Sequence, residues 1–165
     1  MNHPAFVRRV LALVLTAAVA VAAALPGFAV YAMPIQTTYP QESIYLFDAD
    51  TGEALVEQNP DLPRCVASLT KMMTALLFLE SGKDLNEEIT IPTSLTQEFK
   101  DIQNANGSTM NLRIGETVRR IDLLYGLLVA SANDAASVIA NDVAGSLPNF
   151  VAMMNQKAQE LGCTS

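Results

Sequence analysis

One histidine, His3, is all that the sequence offers, and it stands at the extreme N-terminus. A histidine-ligated metal and a Ser-His-Asp triad are both excluded from any product that has lost its first residues. Cysteine is nearly as scarce. Cys65 and Cys163 permit either one disulfide or two separate buried thiols, and neither their spacing nor the histidine supply suggests a metal site. A Cys65–Cys163 bond would close a loop of nearly a hundred residues, worth about 4.7 kcal/mol in the chain-entropy description. Positive charge is short as well. Ten Lys and Arg face seventeen Asp and Glu, and residues 1–32 contain Arg8 and Arg9 but no acid, so a chain without them carries eight bases against seventeen acids, a net charge of −9. Phosphate backbones are bound by clustered Lys and Arg, so this balance excludes nucleic acid as a partner. The one tight basic pair left, Arg119-Arg120, reads as a solvated helix face.

What is present begins with an export signal. Residues 1–9 are basic, residues 10–25 are apolar except for Thr16, and Pro26-Gly27 leads to the small-residue patterns ending at Ala29 and Ala32. This is the layout of a cleaved secretory signal over residues 1–32, with an apolar run shorter than the roughly 20 residues of a membrane span. The expected location is extracytoplasmic, in the cell envelope or periplasm. Half of the 165 residues are hydrophobic, enough for one domain with a real core over residues 33–165.

Along that domain, residues 43–47 and 53–57 read as two strands joined by the turn Asp48-Ala49-Asp50-Thr51-Gly52, a hairpin. Asn59-Pro60-Asp61-Leu62-Pro63 is a loop. The apolar run from Met72 to Leu79 predicts a helix ending near Gly82, apolar on nearly every side and so central and buried. Residues 88–91 form a short strand candidate, residues 93–107 have no clear assignment, and residues 109–112 read weakly as a strand. Thr117 is expected to cap a helix reaching Ala130, Asp134 another reaching Gly145, and Ser146 a third with Phe150, Met153, Met154, Ala158 and Leu161 on one face, ended by Gly162. Tyr125 is expected in the core.

Chemistry concentrates at Ser68-Leu69-Thr70-Lys71. Helical spacing stacks a hydroxyl and an amine one turn apart, with Ser68 in the first turn, where free N–H groups and the positive dipole end favour an alkoxide and disfavour a lysine cation. An ordinary lysine is neutral about once in 2,500 molecules at pH 7, a deficit of roughly 4.6 kcal/mol. Burial can lower a lysine pKa by about 3 to 5, removing most of that deficit. Ser-x-x-Lys arises by chance about once per couple of hundred residues, so context must carry the argument. Ser131-Ala132-Asn133, between two apolar helices, supplies that context: a second hydroxyl for a proton path to a leaving amine, and a carboxamide to orient lysine and substrate.

With Ala67-Ser68-Leu69-Thr70-Lys71-Met72-Met73-Thr74-Ala75 and Leu128-Val129-Ala130-Ser131-Ala132-Asn133-Asp134-Ala135-Ala136, supported by Leu112-Arg113-Ile114-Gly115-Glu116 and Leu161-Gly162-Cys163-Thr164, the chain resembles the serine D-alanyl-D-alanine carboxypeptidases. These are the low-molecular-mass penicillin-binding proteins. The resemblance implies an α+β fold of the penicillin-binding protein and serine β-lactamase kind, with Ser68 as acylated nucleophile, Lys71 as its general base, Ser131 as proton shuttle and Asn133 as substrate-amide holder. It implies peptidoglycan stem peptides ending in D-Ala-D-Ala as substrate, β-lactams as covalent inhibitors, and no metal or organic cofactor. The family's third motif, Lys-Thr-Gly, has no counterpart: the one lysine after Asn133 is Lys157, followed by Ala158-Gln159. The expectation is therefore a catalytic domain truncated before its later sheet strands, with little turnover by itself, and with any membrane association residing in the missing C-terminal region. The alternatives are a class A-like β-lactamase, whose second motif usually has aspartate where Ala132 stands, and a non-catalytic cell-wall binding module on the same fold.

Overall fold

The computed structural model describes residues 40–163, so the expected signal segment lies outside the described residues. The chain divides into two compact units, one ending at Leu62 and the other beginning at Pro63. In the first, β1 (Ile44–Phe47) pairs antiparallel with β2 (Ala54–Gln58), with a register irregularity between Leu46 and Phe47. Asp48 makes the turn. Its carboxylate accepts from the N–H groups of Asp50 (2.9 Å) and Thr51 (2.8 Å), while Gly52 takes the left-handed conformation, φ 73°. Those same N–H bonds, led by Thr51, hold the Asp48 carboxyl below the usual carboxylate range.

The second unit is helical, with one small sheet. A 3-10 turn (Ala67–Leu69) runs into α1 (Thr70–Glu80); β3 (Glu88–Thr90) follows, then a 3-10 turn (Thr93–Leu95) and α2 (Thr96–Asn104). β4 (Thr117–Arg119) pairs antiparallel with β3, Ile89 opposite Val118, and α3 (Arg120–Val129), α4 (Asn133–Ala144) and α5 (Leu147–Glu160) complete the order. The central helix is α4, which touches all four others. Its Ala135, Ser137, Val138, Ile139 and Ala140 are buried, and three of these are small enough to let neighbouring helices approach closely. Phe78, Leu123, Leu127, Ile91 and Phe150 fill the space around it.

Several expectations need correction. α1 is not the buried centre: Thr74, Ala75, Leu77 and Phe78 face inward, but Met72 is 66% and Leu79 53% exposed. Thr117 is no cap. It lies in β4, with its hydroxyl 3.1 Å from that of Thr90 across the ladder, and the helix starts three residues later. The unassigned stretch contains α2. Tyr125 is 64% exposed, and Cys65 and Cys163 are separate, exposed thiols instead of a bonded or buried pair. Ser146 does cap α5, its hydroxyl accepting from Asn149 N–H at 3.3 Å.

The basic pair splits by role. Arg119 stays exposed and pairs with Asp122 through two 2.9 Å bonds, whereas Arg120 is buried. Its Nε and Nη2 donate to the Asp142 carboxylate (2.8 and 3.1 Å), and Nη1 donates to Glu87 and to the Asp84 carbonyl (3.3 Å). One guanidinium thereby joins the α1–β3 connection to α3 and α4.

Segment 109–112 is also not a strand. Its N–H groups at Met110 and Leu112 go to the two oxygens of the buried Asp134 carboxylate (3.1 and 3.0 Å), and Asn133 N–H donates to Ser108 C=O at 2.7 Å. Asp134 therefore sits inside α4, behind its N-cap Ala132, and a side chain serves as the ladder partner for residues 110 and 112. Met110 then lies over Gly126 of α3. A Cβ at Gly126 would come within 2.2 Å of Met110 Sδ and within 3.4 Å of its Cγ and Cε, so the Met110 thioether would have to swing out of its place. Alanine gains up to about 1 kcal/mol in helix propensity, but overpacking typically costs about 1–3 kcal/mol. Gly126→Ala should therefore lower stability by roughly 1–2 kcal/mol, read by urea denaturation; a gain would show that Met110 has room to move.

Candidate functional site

Ser68 sits in the 3-10 turn before α1 instead of in the α-helix itself, and Lys71 lies one turn on, in the first turn of α1. The short turn keeps the expected stacking: Lys71 Nζ is 3.3 Å from Ser68 Oγ. From a position 63 residues along the chain, Ser131 brings its hydroxyl to donate to Ser68 Oγ at 2.7 Å. Asn133, at the start of α4, lines with Ser68, Lys71, Thr74, Ser137 and Phe150 a cavity of about 380 Å³. A second cleft of about 410 Å³ also reaches Ser68, Lys71 and Ser131, with walls from Leu69, Met72 and Leu128. All four sequence-derived site residues therefore converge on one place.

The backbone holds them there under strain. Ala67 (φ 47°) and Ser131 (φ 52°), on either side of the hydroxyl pair, both occupy the left-handed region without being glycine, which costs about 1–3 kcal/mol each. At Ser131 the cause is visible. α3 ends at Val129, the N–H groups of Ala130 and Ala132 both turn back to the Gly126 carbonyl (3.2 and 3.1 Å), and Ser131 takes the conformation that glycine usually fills after a helix. That reversal swings its hydroxyl toward Ser68. Partial burial lowers the Lys71 amine below the ordinary lysine value of 10.5, the direction a base requires. An oxygen flanked by an amine with a lowered pKa and by a second hydroxyl is suited to nucleophilic attack with proton return.

Comparison with known proteins decides the family. The profile of the peptidase S11 family, D-alanyl-D-alanine carboxypeptidase, matches residues 32–165. The chain belongs to that family. A D-alanyl-D-alanine endopeptidase of Pseudomonas aeruginosa is 37% identical over 148 residues, 90% of this chain and 45% of the relative. The D-alanyl-D-alanine carboxypeptidase DacA of Haemophilus influenzae is 37% identical over 149 residues, 84% of this chain and 37% of that one. Among solved structures, penicillin-binding protein 5 from Haemophilus influenzae superposes with a TM-score of 0.62 at 34% identity, over 72% of this chain and 34% of that one. A mutant of the Streptomyces K15 DD-transpeptidase gives 0.66 at 30%, over 73% and 48%. The fold is thus the α+β fold of the penicillin-binding proteins, and the family is one of hydrolases. The chain spans less than half the length of these relatives.

Sequence reasoning missed the support around this cluster. Asp134 was visible only as a cap, and nothing in a linear reading shows that its two oxygens hold residues 110 and 112. Ser137, buried on α4, donates to Glu98 of α2 at 3.3 Å and forms part of the cavity floor. A polar residue recurring on the core face of an apolar helix was the available signal.

Proposed function

We propose that the whole protein is a serine-type D-Ala-D-Ala carboxypeptidase of the cell envelope acting on peptidoglycan stem peptides, and that this chain supplies its acylating residues. The observation that carries the reading is the convergence of Lys71 Nζ and Ser131 Oγ on Ser68 Oγ. Neutral Lys71 takes the Ser68 proton as Oγ attacks the carbonyl carbon of the penultimate D-Ala. The C–N bond to the terminal D-Ala then breaks, with Ser131 giving its proton to the departing amine and recovering one from the Lys71 ammonium. Asn133, on the wall of the same cavity, donates to the substrate amide, and the Ser68 N–H supplies part of the oxyanion site. Water hydrolyses the ester and frees Ser68. A β-lactam follows the first step, but its leaving nitrogen stays tethered.

The test is intact-mass analysis of the full-length protein after incubation with benzylpenicillin, followed by peptide mapping. One adduct of the full mass of the drug per chain, on the peptide containing Ser68, is expected; no adduct, or one elsewhere, overturns the reading. A second reading, cleavage at an internal D-alanyl bond, is favoured by the endopeptidase relative that matches over 90% of this chain. Peptides ending in free D-Ala-D-Ala and peptides extended beyond it separate the two.

A further inference from the structure

Asn133 is held from outside its own helix. Its N–H donates to the Ser108 carbonyl at 2.7 Å, and the position that a Cβ on Gly107 would occupy lies 2.8 Å from Asn133 Nδ2, its nearest neighbour there, and 3.1 and 3.2 Å from Cγ2 and the carbonyl oxygen of Ile102. Gly107 has no positive φ to account for it, so what it provides is close approach: a bare backbone against which the carboxamide rests. The segment that includes Gly107 is in turn fixed by Asp134, whose two oxygens accept from Met110 and Leu112. Gly107 N–H donates to the Ile102 carbonyl (2.9 Å), tying the start of the segment to α2. Residues 107–112 thus form a bracket, anchored at one end to α2 and at the other to the residue following Asn133, with the carboxamide between.

We propose that Gly107 and Asp134 are positioning residues for the Asn133 carboxamide, holding it at the angle at which it meets the substrate amide. This rests on the acyl-transfer reading given above. Neither residue need touch substrate. Asp134 fixes the bracket, the bracket presents Gly107, and the absent side chain of Gly107 leaves room for the carboxamide. A methyl at Gly107 would push Nδ2 by several tenths of an ångström or force another rotamer, and misplacements on the ångström scale cost up to about 10²-fold in rate.

The experiment is a double-mutant cycle on the full-length protein, reading the second-order rate of acylation by a fluorescent penicillin alongside the melting temperature. Gly107→Ala is expected to slow acylation about 10- to 100-fold. In an Asn133→Ala background the same substitution should change the rate less than twofold, because there is no carboxamide left to displace. Asp134→Asn, which leaves one acceptor oxygen where two are needed, should show the same dependence on Asn133, and it decides the matter if Gly107→Ala does not fold. A purely structural role would lower stability and rate equally in both backgrounds. Additive effects on the rate, or an Asn133→Ala protein that acylates as fast as the parent, overturn the proposal and leave the acyl-transfer reading standing. A parent protein that takes up no penicillin overturns both.

Discussion

In the full-length protein, Lys71→Ala is expected to slow penicillin labelling by about 10²–10⁴-fold, the usual worth of a positioned general base, and Ser68→Ala is expected to abolish it. Neither change should disturb folding. Ser68 is exposed, and the inward face of α1 is made by Thr74, Ala75, Leu77 and Phe78, not by Lys71. The harder question is whether the amine acts as a base or only as a hydrogen-bond donor at 3.3 Å. Lys71→Arg answers it. A guanidinium keeps a donor near Ser68 but is never deprotonated in the working range, so an arginine variant as slow as the alanine variant assigns a base, whereas near-normal rates would assign a donor.

The pH profile gives an independent check. Burial lowers the Lys71 pKa, so the neutral fraction at a given pH exceeds that of an ordinary lysine. Acylation should rise with pH along a limb set by loss of this proton, with its midpoint below 10.5. The limb should vanish in Lys71→Ala. A flat profile in the parent enzyme would mean that the proton leaves Ser68 by some other route.

How much of this was legible beforehand depends on how local each interaction is. The hairpin, the loop at residues 59–63 and the Ser146 cap are written in turn chemistry a few residues long, and all appear in place. Ser68 and Lys71 are neighbours by helical spacing alone. The juxtaposition of Ser131 with Ser68 could be inferred only from resemblance, since no periodicity connects residues 63 positions apart. Left-handed Ser131 and Ala67 were illegible for a different reason: a serine and an alanine give no sign of a conformation that glycine usually takes. Segment 109–112 misled because alternating, half-apolar residues pair as readily with a carboxylate as with a strand. Thr117 misled because a threonine before an apolar run suits both a cap and a strand end, and the β3 partner decided between them.

Arg120 shows the same limit with the largest consequence for stability. Adjacent to the exposed Arg119, it read as half of a solvated pair, yet it is 6% exposed and donates to Asp142, Glu87 and the Asp84 carbonyl, while Lys83 lies 3.4 Å from Asp142. Burial alone would raise the Asp142 pKa, but the bonds to Arg120, aided by Lys83, outweigh it and hold the carboxyl below the usual range. The Arg120 guanidinium is raised in return, chiefly by the Asp142 bonds, and stays charged throughout. Arg120→Ala would leave Asp142 with Lys83 but without its bidentate partner, and since stranding a buried charge outright costs about 3–5 kcal/mol, a loss approaching that range is expected. Lysine cannot replace the fork, so Arg120→Lys should recover only part of that loss. The acid response follows from the depressed carboxyl. Its stabilising contribution is complete above the unfolded value near about 3.9 and is lost as pH falls through the lower folded value. Urea denaturation of the parent and of Arg120→Ala should therefore differ most at neutral pH and converge as Asp142 is protonated below about pH 4. A gap that stays constant down to pH 2 would place the role of Arg120 in its packing and its carbonyl bond, with no share for the ion pair.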